Sequence, residues 1–400
     1  MKAEHHIRAR SSDDASATPV ELFFDLVFVF ALIQVTGLMA ADLTVHGLTR
    51  GVLIMALLWW SWVGYAWLSN TIQVTTSAAR ILMFIAMGSM FLLAITIPES
   101  FDDLEGGLNG PVVVALCYLF FRFLHLALYW ISSRDDPGLR KQLVRFTPSV
   151  IGGTTVLLIA SGLDGTAQTI AWGVALLADY AGTFFAGSAG WRIKSVSHFA
   201  ERHALILIVA LGESIVAIGF GMAAEPISWP IFAASGLGLA LSTTLWWAYF
   251  HSIAVRGERA LEGASEEVLP RMGRDAYTFL HFPMILGIVL MALGMKKVLE
   301  YVSDREAHAL SDALPTIAVG ALYFGIALYL LAQVAFMINT TKEVDRLRAV
   351  VAGVILLLIP LAAHLPALAA LALVTTVVIA LIVTETLLYE PDLLDESAAA

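Results

Sequence analysis

The sequence predicts an all-α, polytopic membrane protein with about twelve transmembrane helices in two parallel six-helix repeats. Three observations carry this. The chain is 59% hydrophobic and 14% charged, against roughly 25% charged in soluble domains. Its apolar stretches are long, continuous and suited to a hydrocarbon core about 30 Å thick, and they lack the period-two alternation of a β-barrel. Polar signatures in the first six stretches also recur, in the same order, in the last six.

Length and polarity place the spans at 19–41, 50–70, 79–98, 110–132, 143–161, 167–188, 200–222, 228–252, 276–298, 313–337, 348–365 and 367–389. Only His364-Leu365-Pro366 divides the last pair, so 348–389 reads as two spans or as one bent re-entrant element. Eighteen Lys and Arg residues fall in the N-terminal tail and the even-numbered loops, four in the odd-numbered loops, and Arg122 lies inside a span. The positive-inside rule then puts both termini in the cytoplasm of an inner-membrane protein. An even span count agrees. The polar stretch before Pro19 lacks the apolar centre of a cleaved signal sequence.

The repeat rests on four pairs. Phe24-Asp25-Leu26-Val27 in span one matches Gly212-Glu213-Ser214-Ile215 in span seven. Leu58-Trp59-Trp60-Ser61-Trp62 in span two matches Leu245-Trp246-Trp247-Ala248-Tyr249 in span eight. The acid-to-Trp spacing is 34 residues in one half and 33 in the other. Lys141 and Arg145 match Lys342 and Arg346, and Asp179 in span six matches Glu385 in span twelve. The expected organisation is a cytoplasmic tail over 1–18, one repeat over 19–190, a second over 191–390 and a cytoplasmic tail over 391–400. Six spans per repeat give both halves the same orientation, related by an axis along the membrane normal.

Ionisable groups inside a membrane are costly and mark function by default. Glu213 lies about 18 Å along the helix axis from Glu201. Glu21 and Asp25 are one turn apart on span one. Tyr118, Arg122, His125 and Tyr129 form a polar stripe on span four at helical spacing. Asp179, His203 and His281 complete the set. Each also has a plainer reading. Arg122 could be a packing salt bridge to Asp25, Asp179 or Glu213. Asp25 and Glu213 could face a wide vestibule, and Glu201 and His203 could be helix-end residues. His281, before Phe282-Pro283, could satisfy backbone groups freed at a kink. The Trp residues could be packing bulk.

The sequence has no phosphate-binding Gly-rich loop, no His-Glu-x-x-His helix and no Gly-x-Ser-x-Gly elbow. Cys117 is the single cysteine. No cofactor or metal is therefore expected, and an enzyme is the less favoured class. A net charge of −10 does not suit nucleic acid. The expected partners are the lipid bilayer and a small solute or ion, with oligomerisation left open.

The runs Val20 to Val29, Trp59 to Tyr65, Phe121-Arg122-Phe123-Leu124-His125, and Glu201-Arg202-His203 through Leu211-Gly212-Glu213-Ser214 together resemble the bacterial low-temperature-requirement protein A family. The likeness covers about residues 15–390. It implies a polytopic protein linked to growth in the cold, without a settled molecular activity. One departure is that Asn70 is followed by Gln73, Thr75 and Thr76, where family members often carry acids. A weaker, architectural likeness is to two-repeat lysosomal potassium channels, which also carry an acid in an apolar first helix.

The expected function is secondary transport coupled to a proton or cation. Asp25 and Glu213 would carry the proton, Arg122 would be counter-ion or anion holder, and His125, His203 and His281 would relay or orient, with Asp179 and Glu21 in the same network. The alternatives are an ion channel and a non-transporting membrane stress protein.

Overall fold

The structure is a computed structural model, and it describes residues 16–72, 77–222 and 225–398. Most of the N-terminal tail, with Lys2, Arg8 and Arg10, lies outside these residues, as do Gln73, Thr75 and Thr76. Among the described residues twelve helices follow one another: α1 Pro19–Ala41, α2 Val45–Thr71, α3 Ser77–Thr96, α4 Gly110–Ser132, α5 Pro137–Ala160, α6 Gly165–Ala186, α7 Val196–Gly221, α8 Trp229–Glu262, α9 Leu269–Ser303, α10 Thr316–Thr340, α11 Arg346–Ala362 and α12 Ala367–Ala398. Eleven are long and apolar enough to cross a membrane. The other, α11, has 17 residues, at the short end of spanning length. Among the described residues there is no β-strand.

Helix starts follow capping chemistry more closely than hydropathy. Thr44 accepts from the Gly47 amide and begins α2 ahead of the expected residue 50. Asp136 accepts from the Leu139 amide, Pro137 opens the first turn, and α5 begins ahead of residue 143. Arg50 is thus a residue of α2, not of a loop, and it meets Asp102 at 2.6 Å. The stretch 348–389 is two packed helices, α11 and α12, separated by a turn over Ala363, His364 and Leu365 just before Pro366. Residues 391–398, expected as tail, continue α12. Both α8 and α9 outrun their expected spans, through π turns at Tyr249–Ile253 and Gly273–Leu280.

The chain divides into two compact units. The first contains residues up to Val209 together with Glu258–Phe282. In it α1 packs on α2 and α3, α4 lies against α2, α3 and α5, and α5 and α6 form a close pair. Its core is aromatic, with Phe24, Trp59, Trp62, Tyr65 and Trp172 all buried. The second unit contains Ala210–Gly257 and Pro283–Ala400. In it α12 packs on α8 and α11, and α11 on α10.

In the second unit, α9 and α10 meet along small residues, as helices in membranes commonly do. A Cβ on Gly287 would come within 2.5 Å of the Gly325 carbonyl and 2.9 Å of the Tyr329 amide nitrogen. Both are backbone atoms and cannot rotate away. Gly287→Ala is therefore expected to destabilise the protein by about 1–3 kcal/mol through overpacking, read as a lower thermal-unfolding midpoint in detergent. An unchanged midpoint would show that the seam gives way cheaply.

Candidate functional site

The first polar layer joins α1 to the start of α7. Glu21 accepts from His198 Nε2 at 2.9 Å, and Asp25 accepts from Arg202 Nη2 at 2.9 Å. Each helix offers its two partners one turn apart, so both contacts form only when the helices run in the same direction. All four side chains are buried. Glu21 has a second task. Its Oε2 accepts from the Thr18 amide, while Thr18 Oγ1 accepts from the Glu21 amide, which makes a capping box at the start of α1.

Asn70 fixes the state of His198. Asn70 Oδ1 accepts from the Lys194 and Ser195 amides at 2.7 and 3.4 Å, which orients its NH2 group. That group donates to the Ser195 carbonyl and lies 3.2 Å from His198 Nδ1. Facing a donor, Nδ1 keeps its lone pair, so Nε2 carries the hydrogen given to Glu21. Lys194, in the loop before α7, reaches the Thr71 carbonyl. Burial pushes its ammonium below the usual range, and the Asp136 carboxylate opposes this.

The Asp25–Arg202 pair is only half satisfied. Asp25 Oδ1 accepts from both Arg202 and Trp62 Nε1, the latter at 2.8 Å. Its Oδ2 has no hydrogen-bond partner among the described residues, and neither do Arg202 Nε and Nη1. The guanidinium carbon lies 5.6 Å from the centre of the Trp62 ring.

His203, one residue on, is fully buried, not a helix-end residue. Its Nδ1 lies 2.8 Å from the Phe199 carbonyl, so that nitrogen bears the hydrogen and Nε2 is left with a lone pair and no partner. The His203 ring sits 5.2 Å from those of Trp62 and His281, centre to centre. His281 Nδ1 in turn meets the Ala276 carbonyl at 3.3 Å. The π turn explains that contact. Its wider winding takes carbonyls out of the ordinary i→i+4 ladder, and side chains collect them. Trp59 Nε1 donates to the Thr278 carbonyl at 2.8 Å, and Trp67 Nε1 to the Thr278 hydroxyl at 2.9 Å.

The stripe on α4 makes the second layer. Tyr118, Arg122, His125 and Tyr129 are all buried. Of the three carboxylates the sequence offers Arg122, it meets Asp179 of α6, with Nη2 3.1 Å from Oδ2. Tyr118 and Ser149 also donate to Asp179, at 3.3 and 3.4 Å. His125 Nε2 lies 3.0 Å from the Gly64 carbonyl. A Cβ on Gly64 would stand 3.0 Å from that same nitrogen, so a glycine leaves room for the contact. Beside this stripe is a cavity of about 50 Å³, walled by Trp60, Trp67, Phe146 and Trp191 and edged by Arg122 and His125. Arg274 and Thr278 of the π turn also line it.

The other predicted acid, Glu213, is buried on α7 and belongs to the second unit, whereas Asp25 belongs to the first. The next residue, Ser214, meets Ser242 of α8 at 2.8 Å. The second unit also holds an ion pair that is fully engaged. Arg348 gives Nε and Nη2 to the two carboxylate oxygens of Glu385 at 2.8 and 2.7 Å, and Nη1 to the Ala248 carbonyl and Gln333. The Trp residues of the two halves also differ. Trp59 and Trp62 are buried, while Trp246 and Trp247 are 40% and 41% exposed.

Sequence reasoning missed His198, Arg202 and Asn70 as partners. The signal was present, because His198 and Arg202 stand four residues apart, as Glu21 and Asp25 do. The expected span begins at residue 200, however, so His198 falls outside it and Arg202 at its very start. The helix starts at Val196 and carries both inside.

Long apolar helices with buried ion pairs define a multi-pass membrane protein. The family model for the bacterial low temperature requirement A protein (LtrA) matches residues 16–383, and the chain belongs to that family. It is therefore a protein of a bacterial membrane. It is 28% identical over 303 residues to an uncharacterized protein of Rhizobium meliloti, covering 72% of this chain and 71% of that one. No solved structure matches it.

Proposed function

We propose that the protein is a secondary transporter of the inner membrane, with both termini in the cytoplasm, which couples passage of a small solute to a proton or cation. The half-satisfied Asp25–Arg202 pair carries this reading. A structural ion pair buried in a membrane protein closes its hydrogen bonds, as Arg348–Glu385 does. Asp25 instead keeps an oxygen, and Arg202 two nitrogens, without partners. A carboxylate so held can accept a proton and loosen its hold on the arginine. The unprotonated Nε2 of His203 offers a second landing point for that proton.

A two-repeat organisation supports the same reading. Tyr118 and Arg122 of α4 stand four residues apart beside Asp179 of α6. In the second unit Tyr329 and Gln333 of α10 have the same spacing, and Arg348 links Gln333 to Glu385 of α12. Helices four and ten, and six and twelve, are equivalents in a six-plus-six repeat. Glu213 would be the second repeat's counterpart of Asp25.

The test is solute-dependent proton entry into proteoliposomes under an imposed pH gradient, with organic acids, amino acids and cations as the panel. At least one solute should drive proton uptake above that of protein-free vesicles, and Glu213→Gln should lower it at least tenfold. Unitary conductance without proton coupling, or silence across the panel, counts against the proposal.

A further inference from the structure

The geometry points to a groove on the exposed face of α5 as a binding site for one anionic glycerophospholipid, with its phosphate at Arg140 and an acyl chain along the groove. The inference does not depend on the transport reading.

Trp130 of α4 and Val144, Thr147, Pro148, Ile151 and Gly152 of α5 line the groove, whose volume is about 560 Å³. That lies within the roughly 300–1,000 Å³ of ligand pockets. Trp130, Val144 and Ile151 are 46%, 59% and 59% exposed. Gly152 keeps the groove open, since a Cβ built on it would meet nothing within 4 Å. Exposed apolar side chains face lipid all over a membrane protein. The cations at one end single this groove out. Arg140, Val144, Thr147 and Ile151 stand at i, i+4, i+7 and i+11, so Arg140 heads the row that lines it. Its guanidinium carbon lies 4.7 Å from the centre of the Trp130 ring. Trp130 is in the last turn of α4, and tryptophan is enriched at the membrane interface.

Charge decides the headgroup. Arg134, Arg140, Lys141 and Arg145 are all exposed, and none forms an ion pair with a described residue. The acids of the turn between α4 and α5 do not balance them. Asp136 is engaged by Arg192 at 3.6 Å and by the Leu139 amide, which leaves Asp135 against four cations. Basic clusters between membrane helices recognise anionic headgroups. An arginine can stack on an aromatic face and hold a phosphate through two N–H groups at once. A phosphodiester at Arg140 thus meets a guanidinium that no carboxylate holds. Depth decides the rest of the occupant. The twelve residues from Arg140 to Gly152 cover about 18 Å of helix, so the far end reaches well into a hydrocarbon core about 30 Å thick. Free phosphate would use only the charged end, and a lipid without net charge only the apolar one.

The experiment is titration of the full-length, delipidated protein in detergent with dioleoyl phosphatidylglycerol or dioleoyl phosphatidylcholine, the bound lipids being counted by native mass spectrometry. The expected result is one phosphatidylglycerol held at least about tenfold more tightly than phosphatidylcholine. Excess inorganic phosphate should not displace it. Arg140→Gln should weaken phosphatidylglycerol about fivefold and leave phosphatidylcholine unchanged. Gly152→Leu fills the groove and alters no charge, and should weaken phosphatidylglycerol about tenfold. A diffuse attraction between basic residues and anionic lipid would not respond to that change. Both positions are exposed, so size exclusion and helix content should match the parent. The inference is overturned if the parent holds the two lipids equally, or if inorganic phosphate displaces phosphatidylglycerol. It is equally overturned if either variant holds phosphatidylglycerol as the parent does.

Discussion

Asp25→Asn should abolish proton-driven flux and also lower stability by about 3–5 kcal/mol, because Arg202 then stays buried without its anion. The second effect could be mistaken for the first. Adding Arg202→Gln removes the stranded charge, so the double variant should recover most of the lost unfolding midpoint in detergent. Proton-coupled flux should not return, since no titratable group stands at that place. If the double variant transports with unchanged pH dependence, Asp25 is not the proton carrier. If the single variant is as stable as the parent, the Asp25–Arg202 contact contributes little in the folded protein.

Arg348→Ala should be comparably destabilising for a different reason. Arg348 closes a bidentate pair with Glu385 and also holds the Ala248 carbonyl and Gln333. Its loss leaves a carboxylate that is only 12% exposed, and a carbonyl, without their donor, at a cost of about 3 kcal/mol. Replacing the pair together, Arg348→Met with Glu385→Leu, should fall within about 1–2 kcal/mol of the parent, since apolar substitutes for a buried pair are often tolerated. The measurement is the thermal midpoint together with flux. This double variant should retain flux, in contrast to the one at Asp25 and Arg202.

The sequence carried the helices well because continuous apolar length is a one-dimensional signal. It also carried the α4 stripe, since residues at helical spacing share a face whatever surrounds the helix. Arg122 at mid-span had few carboxylates to meet, and Asp179 was among them. The pairings on α7 were harder to read. Depth was judged from where the apolar run begins, whereas the helix starts earlier, at Val196. The π turn was illegible for a related reason. It adds one residue to a helical turn without changing composition, so nothing in the pattern marks Thr278 as the carbonyl that Trp59 collects. The Trp run shows the limit of likeness between the halves. Trp59 and Trp60 are buried, while Trp246 and Trp247, at the matching positions on α8, are two-fifths exposed.

The two contacts between α1 and α7 also act as a ratchet stop. Sliding α1 along α7 by one turn, four residues or about 6 Å, would bring an acid to a new partner at one rung and strand an ion at the other. A smaller slip would open both rungs together. Axial shear between these helices is thus resisted by two charges spaced like teeth, and the pair moves as a single strut. Conformational change that carries Asp25 must carry His198 and Arg202 with it, so the hinges lie outside this strut.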